Sequence, residues 1–469
     1  DHIVENKFLE PAGNPLSTFS IDVDEASYSN VRRYLLNGSL PPAGAVRIEE
    51  MINYFDYDYP QPKNDDPFSV NTEISDCPWS PQHRLVHIGL QGKEIPLQNL
   101  PSSNLVFLID VSGSMEDMNK LPLVKASMKM LVDQLREKDK VAIVVYSGNA
   151  GLVLPSTGGD NKVKIREAID NLEAGGSTAG GAGISLAYKT ARENFISGGN
   201  NRIILATDGD FNVGASSDDD LIQLVEKERK SGVFLSVLGY GMGNYKDNKM
   251  QQIADKGNGN HSYIDNINEA KKVLVNEFGS TLFTIAKDVK VQVEFNPAKV
   301  QSYRLVGYEN RVMAAEDFND DKKDAGELGS GHTVTALYEI IPVGVKNEFS
   351  TSVDPLKYQS KGDKAPTIYL GDEIMTIKLR YKTPEGDISK LIVHPVSDRQ
   401  VPLSQVSDNF RFSAAVASFG LLLRNSEFKQ QASFEQSLSL AKSAKGKDVN
   451  GYRQEFIQLV GAANAMVKK

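Results

Sequence analysis

The sequence predicts an α/β fold, in which a doubly wound, mostly parallel sheet is inserted in or flanked by a β-sandwich-like domain, with helices at the C-terminal end. Three observations lead to this prediction. Continuous apolar runs alternate with helical stretches in the middle of the chain, which is typical of strands buried on both faces of a parallel sheet. Apolar and polar residues alternate on either side of this region, as in half-buried strands. The last 60 or so residues have helical periodicity.

Residues 1–101 form a mixed α+β region. A strand is predicted at 18–23, and Asp24 then has the residue type and position of a helix N-cap. This helix ends near Gly38, and a second short helix covers about 47–54. Two further strands are predicted within residues 68–90, and two strands alone are too few for a stable sheet. We therefore expect residues 68–90 to pair with strands from 289–400.

Residues 102–283 carry the doubly wound α/β pattern. The buried strands are predicted at 105–109, 141–146, 203–206 and 234–238. The helices between and after them are predicted at 121–135, 162–172, 183–195, 218–230 and 249–256. Strands that alternate with helices in this way form an open sheet covered on both faces.

Residues 284–405 are predicted to be β-rich and residues 406–469 helical. Strand-like segments lie at 289–295, 303–306, 333–341 and 373–381. Candidate helices lie at about 409–424, 433–444 and 449–467, and we expect them to pack against the β domain, with a partner surface as the alternative.

Composition narrows the class of protein. The 469 residues carry a net charge of −9 with no basic stripe, which argues against a nucleic-acid partner. Cys77 is the only cysteine, so no intrachain disulfide can form. No apolar run reaches the roughly 18–20 residues of a transmembrane helix. The chain begins at Asp1 rather than Met, so a signal peptide or lipid anchor could precede it.

The strongest candidate for a functional site lies directly after the first buried strand. Asp110, Ser112 and Ser114 alternate along a short loop, and Gly113 between them permits a tight turn. Ligands of doubly wound sheets bind outside the carboxyl ends of the strands. Carboxylate and hydroxyl oxygens are the ligands of hard cations, and Mg²⁺ keeps part of its shell as water. The loop therefore predicts a cation site at this edge.

Two further loops are predicted to complete the site. Asp208 follows another buried strand in the sequence Thr207-Asp208-Gly209 and so reaches the same edge. The glycine-rich loop at 175–183 opens a helix and offers the hydroxyls of Ser177 and Thr178.

These three loops, in this order on an α/β pattern, resemble the von Willebrand factor type A domain. The resemblance implies a metal-ion-dependent adhesion site whose ligands are Asp110, Ser112, Ser114, Thr178 and Asp208. In that family the loop threonine stands five residues before a glycine that precedes an aliphatic residue. Gly183 and Ile184 fit this spacing and favour Thr178 over Ser177.

The resemblance also implies how the site works. The ion is Mg²⁺, or else Ca²⁺ or Mn²⁺, and a carboxylate from a partner protein commonly fills its open coordination position. Loops around Met115, Gly176, Ser177 and Gly209 would then touch the ligand. The expected partner is a protein or glycan.

The flanks resemble one bacterial family of von Willebrand factor A proteins. The similarity lies in residues 17–24 (STFSIDVD), 26–33 (ASYSNVRR) and 331–343 (GHTVTALYEIIPV). Many members are exported, often as lipoproteins, which implies the cell envelope. The expected function is non-enzymatic, cation-dependent adhesion or assembly.

Two alternative functions stay open, a metal-dependent hydrolase and a structural scaffold for envelope assembly. Hydrolysis is disfavoured because the site motifs contain no His or Glu to act as a general base, and no G-x-S-x-G, H-E-x-x-H or P-loop pattern occurs. Residues 317–327 begin like an EF-hand loop, but Lys322 replaces its glycine and Leu328 its closing glutamate. A solvated acidic loop is the expected structure there.

Overall fold

The computed structural model describes residues 3–176, 180–209, 218–241, 247–349 and 371–468. The elements before the central sheet are β1 (Leu16–Ser20), α1 (Ala26–Leu36), α2 (Ile48–Asn53), β2 (Phe68–Cys77) and β3 (Ser80–Gly92). Gly38 follows the end of α1 with a φ of +77°, a left-handed conformation that terminates helices at little cost only when the residue is glycine.

The central α/β domain begins at β4 and is connected by helices on both faces. Its elements are β4 (Ser103–Asp110), α3 (Leu121–Gln134), β5 (Lys140–Tyr146), β6 (Ala150–Gly158), α4 (Lys162–Asp170), α5 (Gly180–Glu193), β7 (Asn200–Thr207), α6 (Asp218–Arg229), β8 (Phe234–Tyr240), α7 (Asp247–Lys256), β9 (His261–Ile264), α8 (Ile267–Lys271), a π-helical turn (Lys272–Asn276) and α9 (Phe278–Leu282).

The remaining elements are strands followed by three helices. They are β10 (Thr284–Phe295), β11 (Val300–Val306), β12 (Val312–Met313), β13 (Gly326–Gly329), β14 (Thr333–Pro342), β15 (Glu373–Lys382), β16 (Lys390–Ser397), α10 (Asp408–Arg424), α11 (Phe434–Ser443) and α12 (Tyr452–Val467).

The described strands of the central sheet lie in the order β6-β5-β4-β7-β8-β9, and only β6 runs antiparallel to its neighbour. Every residue of β4 is buried, because helices cover both faces. One apolar cluster joins the sheet to α3, α4, α8 and α9, and another joins it to α5, α6 and α7. The predicted fold class is confirmed.

The flanking strands form two antiparallel sheets that share one apolar core. In the part of the chain that the structure describes, one sheet has the order β12-β1-β10-β15-β16, with β13 paired to β10, and the other has the order β11-β14-β3-β2. β3 precedes the central domain in the sequence and β14 follows it, yet the two strands pair, with Val86 opposite Tyr338. The α/β domain is therefore an insertion between strands of this sandwich.

The C-terminal helices pack with the N-terminal ones on the sheet that holds β3 and β14. Their shared core includes side chains from α1, α2, α10, α11 and α12, together with Leu85 of β3 and Leu337 of β14. Most of α10 is buried, which matches its low amphipathicity. No helix in the described ranges is long and apolar enough to cross a membrane.

The predicted capping role of Asp24 is wrong. Glu25 occupies the N-cap position of α1, and its side chain makes no capping hydrogen bond. The Asp24 carboxylate instead accepts a hydrogen bond of 3.0 Å from the backbone N of His261, at the start of β9. It also pairs with Arg311 at 3.2 Å. Asp24 therefore links the sandwich to the central domain, 237 residues away along the chain.

Asp22 shares this linking role. It lies just beyond β1 rather than within the predicted strand, and its carboxylate is 2.8 Å from the same guanidinium of Arg311. Asp255, at the C-terminal end of α7, is 3.0 Å from Arg311 on the other side. One arginine thus joins carboxylates from both domains.

Candidate metal centre

The candidate site lies where the strand order of the central sheet reverses. From β4 the chain proceeds to β5 on one side and later to β7 on the other. The loops after β4 and β7 consequently diverge and leave a crevice at the carboxyl edge, as in other doubly wound sheets. Asp110 is the last residue of β4, and Asp208 comes directly after β7.

Asp110 is fully buried and held by hydrogen bonds within its own loop. Its Oδ1 accepts from the backbone N of Ser112 at 2.9 Å and from the Ser112 hydroxyl at 2.6 Å. The Ser112 and Ser114 hydroxyl oxygens are 3.1 Å apart. The structure thus brings together the three oxygen-bearing side chains predicted from this loop.

The other oxygen of Asp110 is approached by groups that the sequence analysis did not assign to the site. The Tyr146 hydroxyl is 3.2 Å and the Thr207 hydroxyl 3.4 Å from Asp110 Oδ2. Tyr146 ends β5 directly opposite Asp110, so strand register could have identified it. These two hydroxyls help to orient the Asp110 carboxylate.

Burial raises the pKa of Asp110 to about 6. The hydrogen bonds from Ser112 oppose this rise, and the negative charge of Asp208 adds to it. Two carboxylates in one crevice destabilise each other unless a cation lies between them. The electrostatics of the crevice therefore favour a bound positive charge.

Lys120 supplies such a charge in this structure, although the loop motifs alone did not predict it. Its Nζ is 3.0 Å from Asp208 Oδ2 and 2.8 Å from the backbone oxygen of Ser114. Lys120 is the only basic residue between Asp110 and Leu121. This single positive charge beside the Asp110 loop is the sequence feature that could have identified it.

The third predicted loop reaches the site through its backbone. Gly176 O accepts a hydrogen bond from Gly113 N at 3.1 Å, and Gly175 N donates to Val111 O at 2.7 Å. The loop therefore runs beside the Asp110 loop up to residue 176. Ser177 and the predicted ligand Thr178 lie outside the described residues.

The residues predicted to contact a ligand differ in exposure. Gly176 and Ser114 are exposed, whereas Gly209 is buried. The Met115 side chain is fully buried in the core, so it is not available for ligand contact. Glu116 and Asp117, the two residues that follow Met115, are exposed.

The donor set fits a hard cation. Two aspartates and two serines offer only oxygen atoms, which Mg²⁺, Mn²⁺ and Ca²⁺ prefer to nitrogen or sulfur ligands. Within the described ranges there is no cluster of three or more His, Cys, Asp or Glu arranged to hold a metal. A cation here must therefore depend on hydroxyl oxygens as well as on the carboxylates.

The acidic loop at 317–327 has a different arrangement. Two lysine ammonium groups donate hydrogen bonds to backbone oxygens of this loop. Lys290 Nζ is 3.1 Å from Asp317 O, and Lys382 Nζ is 2.7 Å from Asp321 O. Positive charges next to these oxygens oppose binding of a cation. We expect Asp320→Asn to leave calcium binding by the protein unchanged in isothermal titration calorimetry. Loss of a calcium-binding event in that variant would contradict this interpretation.

Profiles of known protein families match three successive parts of the chain. The profile of the von Willebrand factor type A domain matches residues 104–276. A profile described as von Willebrand factor matches residues 1–87, and one described as the C-terminal region of uncharacterized protein YfbK matches residues 280–466.

Individual relatives cover very different shares of the chain. Uncharacterized protein YfbK of Escherichia coli is 45% identical over an alignment that covers 98% of this chain and 80% of that protein. Human inter-alpha-trypsin inhibitor heavy chain H3 is 28% identical over 34% of this chain and 19% of its own length. A von Willebrand factor type A structure from Catenulispora acidiphila is 15% identical, with a TM-score of 0.41 over 82% of this chain and 88% of its own.

Proposed function

Since this chain belongs to the YfbK family of bacterial von Willebrand factor type A proteins, we propose that it binds a protein or glycan partner through a divalent cation, without catalysis. The cation, Mg²⁺ or else Mn²⁺ or Ca²⁺, is held by Asp110, Ser112, Ser114 and Asp208, with Thr178 as the fifth ligand.

One observation carries the proposal. Asp110, Ser112 and Ser114 converge within hydrogen-bonding distance at the carboxyl edge of β4, and Asp208 lies across the same crevice. Asp110 is fully buried, although burying a carboxylate is costly unless its charge is compensated. A site that brings two buried carboxylates together with the Ser112 and Ser114 hydroxyls favours cation binding.

The residues around the site define what it can recognise. A bound cation supplies an electrophilic coordination position for an oxygen of the partner. Ser114, Glu116 and Asp117 form the exposed rim on the Asp110 side. The buried oxygens of Asp110 stay oriented by Tyr146 and Ser112.

We place this interaction at the bacterial cell envelope. Three separate profiles cover the inserted α/β domain and the two flanking parts. The support for the envelope is the resemblance of residues 17–33 and 331–343 to a bacterial family with many exported members. A sandwich that carries an inserted adhesion-type domain suits attachment or assembly of envelope components.

The test replaces Asp110 with Asn, which keeps the shape and most hydrogen-bonding capacity of the side chain while removing its charge. We expect the affinity for Mg²⁺ and Mn²⁺, measured by isothermal titration calorimetry, to fall by at least about 100-fold, because one of the two carboxylate charges is lost. The control is Asp133→Asn near the end of α3, which should leave the affinity unchanged, since Asp133 pairs with Arg166 of α4 away from the loops after β4 and β7.

A second measurement addresses the partner. Capture of envelope proteins by the native protein should require Mg²⁺ and should be lost with chelator and with Asp110→Asn. Equal metal affinity in the native and Asp110→Asn proteins would contradict the metal centre. Hydrolytic turnover that disappears in Asp110→Asn would contradict a non-enzymatic function.

A further inference from the structure

The Lys120 side chain is built into the candidate metal centre rather than lying loosely beside it. Only 13% of the side chain is exposed, and its Nζ contacts both Asp208 Oδ2 and Ser114 O. Its backbone N donates to Asp117 O at 2.9 Å, which fixes the position from which the side chain extends. The ammonium group therefore bridges the loops after β4 and β7.

The opposite wall of the crevice makes room for this lysine. A Cβ atom at Gly241 would lie 2.6 Å from Lys120 Cε and 3.0 Å from Lys120 Cγ. Gly241 also has a φ of +85°, a conformation that residues with side chains rarely adopt. The methylene chain of Lys120 thus packs directly against Gly241, where a side chain would have to displace it.

The ammonium and a divalent cation would compete for the same carboxylate. Asp208 is one of the two acidic groups of the site, and its side chain is only 5% exposed. An ammonium group at 3.0 Å neutralises much of its charge, and attachment to the neighbouring loop gives this cation a high effective concentration. A divalent ion cannot gain the full charge of Asp208 while Lys120 is paired with it.

We propose that Lys120 is a tethered cation that competes with the divalent ion for Asp208 and so sets the metal affinity of the site. This inference rests on the proposed function, because it concerns regulation of the same metal centre. The ammonium stabilises the pair of carboxylates when no ion is bound, and it leaves Asp208 when an ion enters. If the lysine is paired about 90% of the time, the apparent dissociation constant of the metal is about tenfold higher than it would otherwise be.

The test is Lys120→Met, which keeps the length and apolar character of the side chain but removes its charge. We expect the Mg²⁺ and Mn²⁺ affinities, measured by isothermal titration calorimetry on the full chain, to rise about tenfold. We also expect a larger increase in Tm on saturation with metal, because the metal-free variant lacks the charge that compensates Asp208. Lys120→Gln, a shorter polar substitution, should give the same direction of change.

The matched control is Lys125→Met on α3, the helix that begins directly after Lys120. Lys125 Nζ donates to the backbone oxygens of Asp170 and Leu172 and makes no contact with Asp110 or Asp208 in the described structure. Its replacement should leave the metal affinity unchanged.

The possible results separate this inference from the metal centre itself. Unchanged or weaker metal binding by both Lys120 variants, with normal binding by the native protein, overturns the competition and leaves the metal centre intact. No metal binding by the native protein or by either Lys120 variant overturns both. Tighter binding by the Lys120 variants that is abolished by adding Asp110→Asn supports both.

Discussion

Replacing Arg32 with Met is expected to lower the free energy of unfolding by about 3–5 kcal/mol, the usual cost of removing one partner from a buried ion-pair network. Arg32 lies in α1 and is only 3% exposed. Its guanidinium pairs with Asp265 and Glu269 near the end of the central domain and with Glu455 of α12. One side chain therefore connects three separate parts of the chain.

The expected loss is large because the acceptors are buried too. Glu269 Oε2 is 2.8 Å from Arg32 Nη2 and 2.7 Å from the Tyr54 hydroxyl, and Glu269 is only 2% exposed. Burial raises the pKa of Asp265, against the lowering effect of Arg32. Without the arginine, both carboxyl groups would lose their compensating charge in a site with little access to water.

Guanidinium denaturation monitored by fluorescence and circular dichroism measures this loss. Because the chain has several cores, the two signals must be compared before a single free energy is assigned. Arg33→Met is the control on the same helix, since Arg33 bonds to Asn30 within α1 and pairs with no carboxylate in the described structure. A loss below about 1 kcal/mol in Arg32→Met, or equal losses in the two variants, would contradict the role of Arg32.

The second large effect is acid destabilisation through His87. This residue of β3 is buried where the sandwich meets the C-terminal helices, and burial lowers its pKa to about 3. Its Nε2 is 2.6 Å from the Tyr59 hydroxyl, and its Nδ1 is 3.0 Å from the Ser413 hydroxyl of α10. Protonation would place a charge among neutral groups.

The direction of the pH effect follows from the two pKa values. In the unfolded chain a histidine titrates near 6.5, whereas His87 in the folded protein stays neutral down to about pH 3. Between these values the unfolded state binds more protons, so the free energy of unfolding falls as the pH falls. The stabilising contribution is complete above about pH 6.5, and each pH unit below that removes up to about 1.4 kcal/mol.

His87→Gln tests this effect because glutamine offers hydrogen-bonding groups but does not titrate. The measurement is the free energy of unfolding at several values between pH 4 and 7, and we expect a shallower dependence on pH in the variant than in the native protein. His394→Gln, on the partly exposed edge strand β16, should change the slope much less. Parallel pH profiles of the native protein and His87→Gln would contradict the prediction, whatever the absolute stability of the variant.

Sequence periodicity identified the interior of the central sheet but not its edges. β4, β5, β7 and β8 were predicted because strands covered on both faces must be apolar throughout. β6 and β9 were missed. Both lie at an edge of the sheet, where β6 is partly exposed and contains Pro155, and β9 has only four residues. Neither segment needs a long apolar run.

The role of Asp24 could not be predicted for a different reason. An acidic residue before a helical segment has the local signature of an N-cap. Its actual partners, His261 and Arg311, are 237 and 287 residues away. Local pattern cannot distinguish a capping aspartate from one used in a long-range ion pair, since both are acidic residues at the start of a helix.

For this protein, the sequence by itself determined the fold class and the oxygen-bearing residues at the strand ends, because strand burial and ligand chemistry both restrict residue type. The predicted pairing of residues 68–90 with a strand from 289–400 is confirmed, but only the tertiary structure decided that this strand is β14 and that the Lys120 ammonium pairs with the carboxylate of Asp208, 88 residues away. These contacts join distant segments whose residue types permit many other partners. Packing alone selects among them, so the positive charge in the crevice became visible only once the loops after β4 and β7 had been brought together.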